Sequence, residues 1–404
     1  MKKVILIRYG EIMLKGLNRR LFEDRLAANI RRVAIPFGPN KVSVSQGRLY
    51  LEPENEAYDL EAAAAKVIDV FGIVSVSIAW KVESKMEAIK ACAVETVQNY
   101  IENHPPTPGR NGAYAFKVET KRGDKRFPLT SQMISSEVGG YLDDQIDSLL
   151  VDIPHPGFIV YLEVRESSYV YRDIIKGYGG LPLGTNGRAL LLLSGGIDSP
   201  VAGFMMAKRG VQIEAIHFDS QPYTSDRSRE KVLKLAEILS GYFYRLNVHI
   251  VPFTDILLAI RDNCHEEYLT LVMRRFMMVI AEKVAHKIDA QALITGESMG
   301  QVASQTILSL GVTNSASTLP IFRPLIGMDK CEVISLAEKI GTYETSILPF
   351  QDCCTVFTPK HPKTKPKLSE VVKQELCIHG ADKMIETAIQ GIETVIVRAD
   401  EVSY

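Results

Sequence analysis

Cysteine is scarce in this chain, six residues in 404, and no two are spaced Cys-x-x-Cys. A disulfide-stapled scaffold is therefore excluded, and the neighbours Cys353 and Cys354 could not ligate one zinc ion without distant partners. Long apolar runs are absent too, none reaching the ~18 residues of a membrane-spanning helix. The start, Met1-Lys2-Lys3 followed by Val4-Ile5-Leu6-Ile7 and then Arg8, is too short an apolar stretch for a signal peptide. These absences predict a cytoplasmic protein with no membrane partner. A charge excess is also lacking: the formal net charge is −1, so whole-chain electrostatics say nothing about nucleic acid. Hydrophobic residues at 46% and charged residues at 24% are those of a globular protein, and the length predicts about two to four domains.

The phosphate-binding fingerprints GxxxxGK[ST] and GxGxxG do not stand where a nucleotide loop is expected. In their place Ser194-Gly195-Gly196-Ile197-Asp198-Ser199 follows the apolar run Ala189-Leu190-Leu191-Leu192-Leu193 and precedes a helix-compatible segment, 200–208. A buried strand would deliver this turn to a helix N-terminus, whose unpaired backbone N–H groups hold anions. Gly195 and Gly196 let the chain approach a phosphate without a Cβ in the way, and Ser194 and Ser199 add hydroxyl donors. Asp198 would repel phosphate unless a cation intervened, which points to Mg²⁺ on the phosphates; an Asx-type turn contact is the alternative.

Along the chain, strand 4–8, helix 18–33 and a hairpin 42–45/48–51 around Gln46-Gly47 form a first α+β unit. A second begins with helix 60–70 and continues through strands 74–80, 113–119 and 158–163 and helices 85–100 and 131–146, a mixed sheet with one helical layer. Prolines and glycines at 103–112 mark a surface loop, and 176–182 marks the main boundary. Beyond it, strands 189–193, 211–218, 243–248 and 291–294 alternate with helices 227–240 and 266–286, and 393–397 is strand-like. That is a parallel sheet covered on both faces, with ligand outside the strand C-termini. Residues 1–50 hold eleven Lys or Arg against three acids, enough local excess to attract a phosphate backbone or to serve as a solvated face.

The hexamer resembles the pyrophosphate-binding (PP) loop of ATP pyrophosphatases. Together with Thr295-Gly296-Glu297-Ser298, Gln301, Ser304, Gln305 and Leu348-Pro349-Phe350-Gln351-Asp352-Cys353-Cys354, the order of units resembles the bacterial tRNA 4-thiouridine synthetases across essentially all of the chain, in the form without a rhodanese domain. The resemblance implies an α/β fold: a C-terminal parallel-sheet adenine-nucleotide alpha-hydrolase-like PP-loop domain (183–404) after a ferredoxin-like domain (1–58), a THUMP RNA-binding domain (59–167) and a linker (168–182). It implies ATP with Mg²⁺ as cofactors and transfer of persulfide sulfur to an adenylated uridine of tRNA, position 8 in the family. A cysteine desulfurase would donate the sulfur, and a sulfur-carrier protein of thiamine synthesis and a second copy of the chain are further partners.

Carried onto this sequence, the nucleotide would lie against Leu192 and Leu193 at the end of one strand and His217 and Phe218 at the end of the next. Arg274, chosen over Arg275, would meet the phosphates, and Gly296 and Gln305 the ribose or base. Arg274 could equally snorkel from its apolar helix, and Phe218 could be core. Cys353, with Cys354 close behind, would carry the sulfur; chemistry alone does not choose between them. RNA would engage the N-terminal unit, Lys117, Lys121, Arg122, Lys125 and Arg126, and the lysines of 360–367. A small-molecule ligase or amidotransferase with the same loop, and a non-catalytic RNA-binding protein on a nucleotide fold, are the rival readings.

Overall fold

Val4 and Leu6 face one side of the first strand, β1 (Lys2–Tyr9), and Ile5 and Ile7 the other, and all four are fully buried. A strand buried on both faces belongs inside a sheet. The computed structural model, which describes residues 1–350, 356–357 and 359–399, divides into two units, Met1–Pro182 and Leu183–Tyr404.

In the first unit, helix α1 (Arg19–Ala34) leads to the hairpin of β2 (Asn40–Ser45) and β3 (Arg48–Pro53). Gln46 and Gly47 both adopt positive φ (47° and 75°), the turn whose twist matches a two-residue hairpin and which favours glycine. Helix α2 (Leu60–Val67) starts at Asp59, whose carboxylate accepts from the Ala62 N–H at 3.0 Å. The pattern at 60–70 suggested the start of the second unit, yet Ala63, Ala64 and Val67 pack in one cluster with Ile5, Ile7, Leu26 and Ile30. Strand β4 (Ile73–Glu83), helix α3 (Met86–Asn103), β5 (Tyr114–Arg122), α4 (Ser131–Gln145), β6 (Leu149–Val151), β7 (Phe158–Val164), β8 (Ser167–Tyr171) and β9 (Ile175–Lys176) complete the unit. The sheet order is β2-β3-β1-β4-β8-β7-β5-β6, with β9 also on β4, and β5 runs parallel to β6 and β7. Helices cover one face. The other carries Val4, Leu6, Ala79 and two tyrosine stacks, Tyr50 on Tyr169 and Tyr161 on Tyr171, 4.9 and 5.3 Å between ring centres.

The second unit is built on β10 (Arg188–Leu192), helix α5 (Asp198–Ala207), β11 (Gln212–Asp219), α6 (Asp226–Phe243), β12 (Leu246–Pro252), α7 (Thr254–Asn263), α8 (Leu269–Lys287), β13 (Ala292–Ile294), α9 (Ile307–Asn314), β14 (Ile321–Phe322), α10 (Lys330–Lys339), α11 (Tyr343–Ser346), α12 (Leu368–Leu376), α13 (Ala381–Gln390) and β15 (Glu393–Val397). Its sheet order is β14-β13-β10-β11-β12-β15, all parallel except the antiparallel edge strand β15. Leu190 packs with α7 and α8 side chains, and Leu191 lies against Gly203 of α5, so both faces are covered. The chain leaves β10 toward β11 and β12 on one side and returns to β13 and β14 on the other. That reversal opens a crevice at the strand C-termini between β10 and β13.

Candidate nucleotide site

The 194–199 loop lies at this crevice, and the Ser199 side chain fastens it. Its hydroxyl accepts from the Ser194 N–H at 2.9 Å, donates to the Ser194 carbonyl at 3.2 Å and lies 3.1 Å from Ser194 Oγ, which accepts from the Gly196 N–H at 3.3 Å. Among the described residues no side chain caps the first N–H groups of helix α5, which begins here with the positive end of the helix turned to the crevice. Asp198 Oδ1 takes the Lys330 ammonium at 2.8 Å and Oδ2 the Gln301 amide at 3.2 Å.

A cavity of about 250 Å³ lies against this loop. Ten of the sequence-derived positions line it: Leu192, Ser194, Gly196, Asp198 and Ser199 from β10 and the loop, His217 and Phe218 from β11, and Arg274, Gly296 and Gln305 from three later segments. Leu193 is buried beneath, its carbonyl accepting from His217 Nδ1 at 3.0 Å, and Gly195 is buried in the loop itself. Phe218 meets Phe253 edge-on, 5.2 Å between ring centres, so it serves the core as well as the cavity wall. Cys353 and Cys354 lie outside the described residues.

Met277, Met278 and Thr313, which the sequence did not single out, also line the cavity, as do Thr295 and Glu297, which it marked only as part of the family motif and gave no role. Helical periodicity offered the first two, since α8 carries Arg274, Met277 and Met278 one turn apart. Arg274 Nη1 donates to Glu297 Oε1 at 2.7 Å, whereas Arg275 donates to Glu375, to the Val312 carbonyl and to Ser315. Glu297 Oε2 accepts from Arg323 Nε at 2.7 Å and Thr295 Oγ1 at 2.9 Å. The Gln305 amide oxygen and Arg323 Nη2 are buried without a hydrogen-bond partner among the described residues.

Not all of the basic residues form a surface. Arg8 and Arg48 are drawn to the fully buried Glu163, at 3.2 and 3.3 Å, and Arg165 joins them at 3.1 Å. Arg122 donates to the carbonyls of Phe127 and Leu129, and Lys117 pairs with Glu119. Arg126 hydrogen-bonds Asp124 and holds that carboxyl down at about 2. Lys121 and Lys125, like Arg20, Arg25, Arg31 and Lys41, stay exposed. Among the described residues no helix is long and apolar enough to cross a membrane, and no group of three His, Cys, Asp or Glu could hold a metal.

A parallel sheet whose central strand ends in this loop, in a chain that also carries a ferredoxin-like and THUMP sheet, defines the PP-loop nucleotide class. The model of the thiamine biosynthesis protein (ThiI) family matches residues 184–379, the ThiI ferredoxin-like domain 4–77 and the THUMP domain 83–173. The probable tRNA sulfurtransferase of Acetivibrio thermocellus is 54% identical over 99% of this chain and 100% of its own length. That of Alkaliphilus oremlandii is 51% identical over 97% and 98%. A 4-thiouridine synthetase, crystallised with RNA and bound ATP, superposes with a TM-score of 0.88 at 37% identity, covering 98% of this chain and 100% of that one. The chain belongs to the tRNA sulfurtransferase (ThiI) family.

Proposed function

We propose that this protein is an ATP-dependent tRNA sulfurtransferase that converts uridine 8 to 4-thiouridine. The observation that carries the reading is the meeting, in one cavity, of an uncapped helix N-terminus, a serine–glycine loop and Arg274, in a chain that also has a THUMP domain. Phosphates belong at the loop and α5, where backbone dipoles and Arg274 favour anions. Adenosine belongs against Phe218, Met277 and Met278, with the unpartnered Gln305 oxygen suited to accept from an exocyclic amine. Mg²⁺ fits as a counter-ion arriving on ATP, since Asp198 is engaged by Lys330 and Gln301.

A carbonyl oxygen is a poor leaving group and AMP a good one, so the uridine O4 first attacks the α-phosphorus and pyrophosphate departs. The terminal sulfur of a cysteine persulfide then attacks C4 and AMP leaves with the oxygen. A second thiol attacks the cysteine sulfur, forming a disulfide and releasing the sulfur on the base; a thiol reductant resets the pair. Burial pushes the Cys92 and Cys264 thiols up to about 12 and about 11, which keeps them protonated and unreactive at neutral pH. Cys353, with Cys354 as the other candidate, takes the persulfide role.

The donor is a cysteine desulfurase, and a sulfur-carrier protein of thiamine synthesis is a second acceptor. RNA engages the exposed cations of the first unit by backbone charge, in the cytoplasm where unmodified tRNA is found. The exposed run Leu14, Leu17 and Leu21 suits a homodimer contact. ATP–pyrophosphate exchange tests the whole reading: unmodified tRNA should stimulate it. Stimulation by amino acids or free nucleotides instead would indicate a small-molecule ligase, and no exchange with any of them an RNA-binding protein without catalysis.

A further inference from the structure

Glu297 is a carboxylate in the wall of a cavity read as the site of a triphosphate, where an unscreened negative charge would oppose binding. Both its oxygens are taken. Oε1 holds Arg274, and Oε2 holds Arg323 and the Thr295 hydroxyl, all at 2.7 to 2.9 Å. Two guanidiniums around one carboxylate leave the cluster with a positive balance. Three donors on four lone-pair sites leave Glu297 little capacity to ligate a metal.

We propose that Glu297 is a positioning residue: it fixes the Arg274 guanidinium for the ATP phosphates, while Arg323 and Thr295 fix Glu297. The inference rests on the reading of the cavity as an ATP site. Arg274 gives one N–H to Glu297, out of the five a guanidinium carries, and its planar fork is oriented by that contact. Glu297 is in turn tied to the loop through its neighbour Gly296, which packs against the Ser199 backbone. Arg274, Glu297 and the 194–199 loop thus share one rigid frame, and a side chain held in its binding geometry loses little freedom when ligand arrives.

The test uses the full chain. ATP affinity is measured by equilibrium dialysis, and kcat and KM by tRNA-dependent pyrophosphate release, for Glu297→Gln, Arg274→Ala, the double variant and Thr295→Val. Glu297→Gln should weaken ATP binding ~10-fold and raise KM more than it lowers kcat, the mark of lost substrate binding. The double variant should fall within ~3-fold of Arg274→Ala, because both changes remove one contact. Thr295→Val, which keeps the shape and loses one hydrogen bond, should weaken ATP binding by ~3-fold. Unchanged ATP affinity in Glu297→Gln, or losses that multiply in the double variant, would overturn the proposal. Should Glu297→Gln fail to fold, unchanged affinity in Thr295→Val would do the same. A wild-type chain that does not bind ATP would instead overturn the reading of the cavity.

Discussion

Gly296 and Ser199 stand backbone to backbone: a Cβ on Gly296 would lie 2.6 Å from the Ser199 nitrogen and 2.9 Å from its Cα. Neither atom can swing aside as a side-chain end could, so the segment after β13 or the phosphate loop must move. Gly296→Ala should therefore cut tRNA-dependent pyrophosphate release ~100-fold, the scale expected when a binding frame is displaced by an ångström. A loss of about 1–3 kcal/mol in a urea melt should accompany it. Wild-type turnover in this variant would mean that the close approach has no bearing on the site.

Glu163 ties β7 to Arg8 of β1 and Arg48 of β3 in the first unit. Burial alone would raise its carboxyl, but Arg48, Arg8 and Arg165 outweigh it and hold the group below the ordinary range. A carboxylate depressed in the folded state contributes stability that is complete above the unfolded value of ~4.3 and is lost as pH falls through the lower folded value. Glu163→Gln should cost about 3–5 kcal/mol at neutral pH, because the buried Arg8 and the half-buried Arg48 and Arg165 lose their partner. It should also flatten the stability profile below pH ~4. Urea melts between pH 3 and 7 check both, and parallel profiles for the two proteins would refute the assignment.

Cys353 should be needed for sulfur transfer and dispensable for adenylation, which precedes it. With unmodified tRNA, cysteine and a cysteine desulfurase supplied, Cys353→Ala should release pyrophosphate yet form little 4-thiouridine, and Cys354→Ala should retain more. The opposite order would move the role to Cys354. Normal turnover in both single variants and in the double variant would eliminate sulfur transfer through Cys353 or Cys354.

Local chemistry made part of this legible in the sequence. The Gln46-Gly47 turn, the apolar run feeding a serine–glycine loop and the late strand at 393–397 each have a short-range signature, and each is present. The strand expected at 243–248 lies at Leu246–Pro252 because α6 extends to Phe243 and stops at Tyr244, which takes positive φ (70°) without the glycine that normally signals such a stop. Arg323 and Lys330 were missed for a different reason: their partners Glu297 and Asp198 lie 26 and 132 residues away, and only the fold brings them together. The count of basic residues near the N-terminus likewise could not foresee that Arg8 and Arg48 turn inward to Glu163.

The fate of ATP tests the central chemistry most directly. ATP labelled separately at its α- and γ-phosphates would be incubated with the full chain, unmodified tRNA, cysteine and a cysteine desulfurase, and the products counted against 4-thiouridine formed at position 8. One AMP and one pyrophosphate per 4-thiouridine are expected. Asp198→Ala should reduce all three together by ~100-fold, because the carboxylate holds Lys330 and Gln301 in place beside the phosphate loop. Release of ADP and phosphate, or 4-thiouridine made without AMP, would contradict adenylation at this site.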